Sequence, residues 1–150
     1  MISYKLIEHE RFEDAPFVGA LISAIDCNMN CKNCFNQWLK EEPIMHGLSL
    51  SIISQIKQNK FNKGVIFGGL EWSLQPDDLY NLAKLSIEND LEVIIYTGLY
   101  EYDFFKRVPK LKNISGFYVK FGQFKEELMV DDNIQYGVKL ASSNQYIKKF

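Results

Sequence analysis

The residues with the clearest chemical potential are three cysteines confined to one short segment, Cys27-Asn28-Met29-Asn30-Cys31-Lys32-Asn33-Cys34-Phe35-Asn36. An odd, tightly clustered set does not make a disulfide framework. In a reducing compartment such a cluster points to metal binding or redox chemistry instead. A closed zinc site needs four ligands, and the only further nitrogen donors of that kind are His9 and His46, neither accompanied by a second Cys or His pair. A 4Fe-4S cluster normally takes four thiolates. Supplied with three, it keeps one iron open to chelation by the amino and carboxylate groups of a small molecule. The polar character of the segment argues against three thiols that merely pack in a core.

The elements that must position this segment follow from hydrophobic periodicity. Gly19 to Ile25 reads as a buried strand ending just before Cys27. Leu48 to Asn59, with Leu48, Ile52, Ile53 and Ile56 at helical spacing and Ser49 and Ser51 near its start, suits an amphipathic helix. Gly64 to Phe67 is a short apolar strand closed by Gly68-Gly69. Pro76, Asp77 and Asp78 open a helix carrying Leu79, Leu82, Ala83, Leu85 and Ile87, with its acidic residues at the N-terminal end. Leu91 to Tyr96 is a β-branched run ending at Thr97-Gly98. Glu101 to Arg107 suits a short helix that stops before Pro109. Ile114 to Phe121 reads as a further strand, Lys125 to Val130 as a helical turn, and Val138 to Leu140 as a last strand.

Alternating strands and helices with short connections imply an α/β fold of right-handed βαβ units around a mostly parallel sheet. Ligands of such sheets collect beyond the carboxyl ends of the strands. The cysteines, Gly68-Gly69 and Thr97-Gly98 are therefore expected at one edge, although far apart in sequence. Adjacent glycines permit positive φ and close backbone approach.

The three-cysteine spacing after a first strand resembles the radical S-adenosylmethionine (SAM) enzymes. Within that superfamily, Cys34-Phe35-Asn36 resembles the end of the cysteine loop in activating proteins of anaerobic ribonucleotide reductase. Phe67-Gly68-Gly69-Leu70-Glu71 is similar to the family's glycine-rich turn, and Tyr96-Thr97-Gly98 to its Tyr-Thr-Gly turn. Gly122-Gln123-Phe124 followed by Ser142-Ser143-Asn144-Gln145 resembles its C-terminal signature, so the likeness runs from about Val18 to Gln145.

The resemblance implies a partial (βα) barrel of one domain over residues 1–150. It implies a 4Fe-4S cluster on Cys27, Cys31 and Cys34, with SAM on the open iron. SAM-binding roles fall on Phe35, Asn36, Gly68, Gly69, Glu71, Thr97, Gly98, Ser143 and Asn144. The implied activity is reductive cleavage of SAM to a 5′-deoxyadenosyl radical that installs a glycyl radical on a large partner, anaerobic ribonucleotide reductase. A low-potential electron donor such as flavodoxin is implied with it. Two other classes stand beside this one: a radical SAM enzyme acting on a small molecule or peptide, and a non-catalytic iron-sulfur module.

The sequence departs from the family pattern in three places. Leu70 separates Gly69 from Glu71, Lys120 stands near a place where relatives carry an acidic residue, and Tyr146 replaces a basic residue after Ser-Asn-Gln.

Composition agrees with a small globular protein. The chain has 150 residues, 47% of them apolar and 24% charged, with a net charge of -2. That length buries roughly two-thirds of the unfolded surface. The charge supplies no broad basic footprint for nucleic acid. The most apolar stretch, Ala15 to Ile25, is too short for a membrane span and is broken by Pro16, Gly19 and Ser23. Glu8, Glu10, Glu13 and Asp14 are unlike a secretory signal, so a cytoplasmic location is expected. Lys106, Arg107, Lys110 and Lys112 read as a solvated face. No phosphate loop, hydrolase carboxylate pair or Ser-His-Asp arrangement is present in the sequence.

Overall fold

The apolar runs of the sequence form the middle of a six-stranded mixed sheet. The computed structural model describes residues 1–150. Its strands are β1 (Ile2–Tyr4), β2 (Ile7–Arg11), β3 (Gly19–Ser23), β4 (Met45–Gly47), β5 (Gly64–Gly68), β6 (Glu92–Tyr96), β7 (Tyr118–Phe121), β8 (Ile134–Gln135), β9 (Val138–Lys139) and β10 (Tyr146–Lys149). The helices are α1 (Ser49–Gln58), α2 (Pro76–Glu88) and α3 (Glu101–Arg107). In the sheet order β10-β7-β6-β5-β3-β2, strands β3, β5, β6 and β7 run parallel, whereas β2 and β10 close the two edges antiparallel. Every residue of β5 is buried, as expected of a parallel strand covered on both faces.

Helix faces follow the periodicity. Helix α1 buries Ile52, Ile53 and Ile56, and α2 buries Leu79, Leu82, Ala83 and Ser86. Pro76 opens α2, and Asp77 and Asp78 lie in its first turn, where the helix dipole favours them. Leu48 caps α1 without a side-chain hydrogen bond, so neither Ser49 nor Ser51 is its N-cap. The helices and one face of the sheet enclose a core of 25 buried residues, including Phe67, Trp72, Leu82, Phe104 and Phe121. The opposite face carries a cluster of 7 buried residues: Ala15, Phe17, Ile66, Ile94, Val138, Leu140 and Ile147.

Several local expectations are corrected. Strand β7 is only Tyr118–Phe121, because Pro109–Asn113 winds into a 3-10 helix and the chain reaches the sheet late. The helical turn expected over Lys125 to Val130 is present, as a 3-10 turn at Glu126–Leu128. Val138 to Leu140 is not the last strand of the main sheet, since Val138–Lys139 pairs with Ile134–Gln135 in a separate hairpin. That edge belongs to β10, whose Tyr-Ile-Lys-Lys sequence gives no apolar run. Strands β1 and β2 also escape periodicity: β2 reads Ile-Glu-His-Glu-Arg, its register slips between Glu8 and Arg11, and Glu10 has φ +58°. No helix is long and apolar enough to cross a membrane.

Register brings the site together. Ser23 pairs with Gly68, and Tyr96 with Lys120, which aligns the carboxyl ends of the parallel strands along one edge.

Candidate metal centre

The cysteine loop leaves β3 through a tether to the neighbouring turn. The Ala24 amide donates to the Gly68 carbonyl at 3.2 Å, and the Glu71 amide to the Asp26 carbonyl at 2.9 Å. The Cys27 amide donates to Asp26 Oδ1 at 2.7 Å. Asn30 and Asn33 take left-handed backbone angles, φ +50° and +55°, which asparagine tolerates better than most residues and which let the loop curl. From the far side of the cavity Gln123 Nε2 donates to the Met29 carbonyl at 3.0 Å, and Asn33 Nδ2 of the loop donates outward to Glu126 Oε1 at 2.9 Å. Behind the loop, buried Lys5 donates to the carbonyls of Lys40 and Glu42, pinning the 3-10 helix Gln37–Glu41.

Cys27, Cys31 and Cys34 are free, half-buried thiols lining a single open cavity of about 690 Å³. Burial pushes the Cys27 thiol above its ordinary range, only partly opposed by a hydrogen bond from the Met29 backbone. An uncharged thiol is thereby favoured until a cation arrives. No group of three His, Cys, Asp or Glu side chains converges on one ion-sized point. His9 bonds Asn62, and His46 bonds Ser3, so both histidines are engaged away from the thiols. Three cysteine thiols on one cavity match the donor chemistry of iron-sulfur ligation, whereas a closed zinc site needs a fourth ligand that neither histidine is placed to supply.

The floor of the cavity is the turn after β5. Gly69 has φ +76°, and a Cβ there would lie 2.4 Å from Ser23 Oγ, so only glycine fits. Glu71 is buried and crosses from this turn to the one after β6. Its Oε1 accepts from the Ser73 amide and from Thr97 Oγ1, each at 3.0 Å, and its Oε2 accepts from the Gly98 amide at 2.8 Å. These bonds compensate a buried carboxylate. They also commit the Thr97 hydroxyl and the Gly98 amide to Glu71.

Of the residues singled out by sequence, Asn36, Gly69, Glu71, Thr97 and Gly98 share the cavity wall with the cysteines. Phe35 and Gly68 instead line an adjoining cavity of about 760 Å³ on the thinly covered sheet face. Phe35 is 75% exposed and leans on Phe124, with ring centroids 5.8 Å apart. Asn36 precedes the 3-10 helix without a side-chain cap bond. Ser143 is exposed and lies on neither wall, its amide donating to the Leu128 carbonyl at 2.8 Å. Asn144 Nδ2 donates to the Gln123 carbonyl at 2.8 Å and to Tyr100 Oη at 3.1 Å, so it braces the residue that holds Met29.

Sequence reasoning missed Lys120 and Gln145 as wall residues. Gln145 Nε2 donates to the Gly122 carbonyl at 3.2 Å. Lys120 is buried within an apolar strand, and that interruption is the signal that could have marked it.

A cavity lined by three thiols at the carboxyl edge of an α/β sheet has the donors that an iron-sulfur protein needs. Residues 18–148 match the 4Fe-4S single cluster domain, and the chain belongs to that family. No curated protein and no solved structure matches the chain.

Proposed function

We propose that the chain is a radical SAM activase built on an open, partial (βα) barrel. One observation carries the reading: three free thiols share an open cavity, while both histidines are bonded elsewhere. Cys27, Cys31 and Cys34 would hold the 4Fe-4S cluster and leave its fourth corner to the amino and carboxylate groups of SAM. The cluster these residues would hold would, once reduced, supply one electron for cleavage of SAM to methionine and a 5′-deoxyadenosyl radical, which would take a hydrogen atom from a glycine Cα of the partner.

The protein's own contribution is placement and exclusion of water. Gln123 holds the middle of the cysteine loop, and Gly69, packed on Ser23 and Leu39, fixes the turn that forms the cavity floor. The adjoining cavity meets the thiol-lined one at Asn36, Gly69 and Tyr96. Its mouth carries Phe35 and Trp38, 75% and 51% exposed, which suits a polypeptide segment entering from a large glycyl radical enzyme such as anaerobic ribonucleotide reductase. A flavodoxin-type protein would deliver the electron.

Anaerobic reconstitution with iron and sulfide, then reduction with SAM present, tests the chemistry. The expected product is 5′-deoxyadenosine well above a Cys31→Ala control, and equal amounts in both would overturn the proposal. Adding the candidate reductase should then give a glycyl doublet by EPR. SAM cleavage without that doublet would favour a small-molecule or peptide substrate.

A further inference from the structure

The thiol-lined cavity contains a buried ammonium group that the proposed reaction does not use. Lys120 lies between Val119 and Phe121 in β7, all three buried. Its Nζ donates to the Gly122 carbonyl at 3.1 Å and sits 5.1 Å from the centre of the Tyr96 ring. No carboxylate lies within ion-pair distance, and Glu71, the carboxylate whose field reaches Lys120, has both oxygens committed to Ser73, Thr97 and Gly98. An ammonium has three donors, and a carbonyl and an aromatic face leave it incompletely compensated. Retaining such a charge in the interior is costly unless something anionic completes its surroundings.

We propose that Lys120 is a charge-setting residue whose ammonium, facing the cavity of Cys27, Cys31 and Cys34, makes the bound cluster easier to reduce. Adding an electron makes a thiolate-ligated cluster more negative. A buried cation on the wall of the same cavity favours that reduced state, because its field is weakly damped in a medium of low dielectric. Screening by salt is weak at a buried position. Burial lowers the Lys120 pKa to about 8, which leaves the group protonated at pH 7. The inference rests on the reading of this cavity as the cluster site, but not on SAM or on the identity of the partner.

The test compares reconstituted wild type, Lys120→Met, Lys120→Gln and Lys120→Arg by EPR-monitored redox titration at pH 7 without SAM. In Lys120→Met and Lys120→Gln the ratio of reduced to oxidised cluster at a fixed potential should fall about tenfold or more. For one electron that is a midpoint about 59 mV lower. Lys120→Arg should stay within about threefold of wild type. A role confined to packing would alter stability without moving the midpoint. Wild type that takes up no iron-sulfur cluster would remove the site itself. Neutral variants that load normally with an unmoved midpoint would overturn the role of Lys120 alone, as would a change seen only in SAM binding. Should both neutral variants fail to load, a midpoint in Lys120→Arg displaced more than tenfold downward would overturn it, and retention of the wild-type value would support it.

Discussion

The two faces of the sheet differ in how completely they are sealed. One is covered by α1, α2 and α3 over 25 buried residues, whereas the other has 7 and opens into the cavity bordered by Phe35 and Trp38. The sealed face spends its apolar side chains on cohesion. The thinly covered one keeps space beside the cysteine loop, and its polar groups, Arg11 with Glu8 and Asp14 and the Tyr96 hydroxyl on the Asp14 carbonyl, hold one another. The radical chemistry proposed above, which must meet its target at contact, would need both a rigid wall and an accessible opening.

Truncation should expose that contrast most strongly. Phe104→Ala, within the aromatic group that includes Phe105 and Phe121, should cost about 3–5 kcal/mol, whereas Leu140→Ala on the thinner face should fall near 2 kcal/mol. Urea unfolding measures both, and a larger loss at Leu140 would reverse the comparison.

Glu71 joins the turns that bound the two cavities, so its removal should come next in size. Glu71→Ala strands the Ser73 and Gly98 amides and the Thr97 hydroxyl, for an expected loss of about 2–3 kcal/mol. A loss under about 0.5 kcal/mol in the same unfolding assay would show that the turns hold without it.

The pH dependence of the iron-free protein gives a smaller effect. The folded pKa of Lys120, about 8, lies below its ordinary 10.5, so between those values the unfolded chain binds more protons and stability rises with pH. Cys27 opposes this above its ordinary 9.0, because its raised folded pKa means that the unfolded chain loses that proton first. Between pH 8 and 9 wild type should gain about 1 kcal/mol relative to Lys120→Met. Parallel stability curves for the two proteins would contradict the buried position of that ammonium.

Phe35→Ala should change stability least, by within about 0.5 kcal/mol, because the ring is 75% exposed. If the opening beside it receives the proposed partner, the same substitution should weaken binding of a candidate reductase at least fivefold in a binding titration. Unchanged affinity would place docking elsewhere.

Sequence alone determined the parts whose signals are local. The parallel strands and the helices are legible because burial on a known period constrains each short segment by itself, as α2 shows from Pro76 to Glu88. Three cysteines within one loop declare their chemistry through spacing. Only the tertiary structure decided the rest. It set β2 and β10 at the edges, where pairing with a neighbour overrides weak local preference. It gave the Glu71 carboxylate to the Thr97-Gly98 turn and left Ser143 outside the cavity wall. It also turned Lys120 into a buried charge beside the thiols, because a lysine's surroundings depend on which strands lie next to it and not on the residues that flank it in the chain.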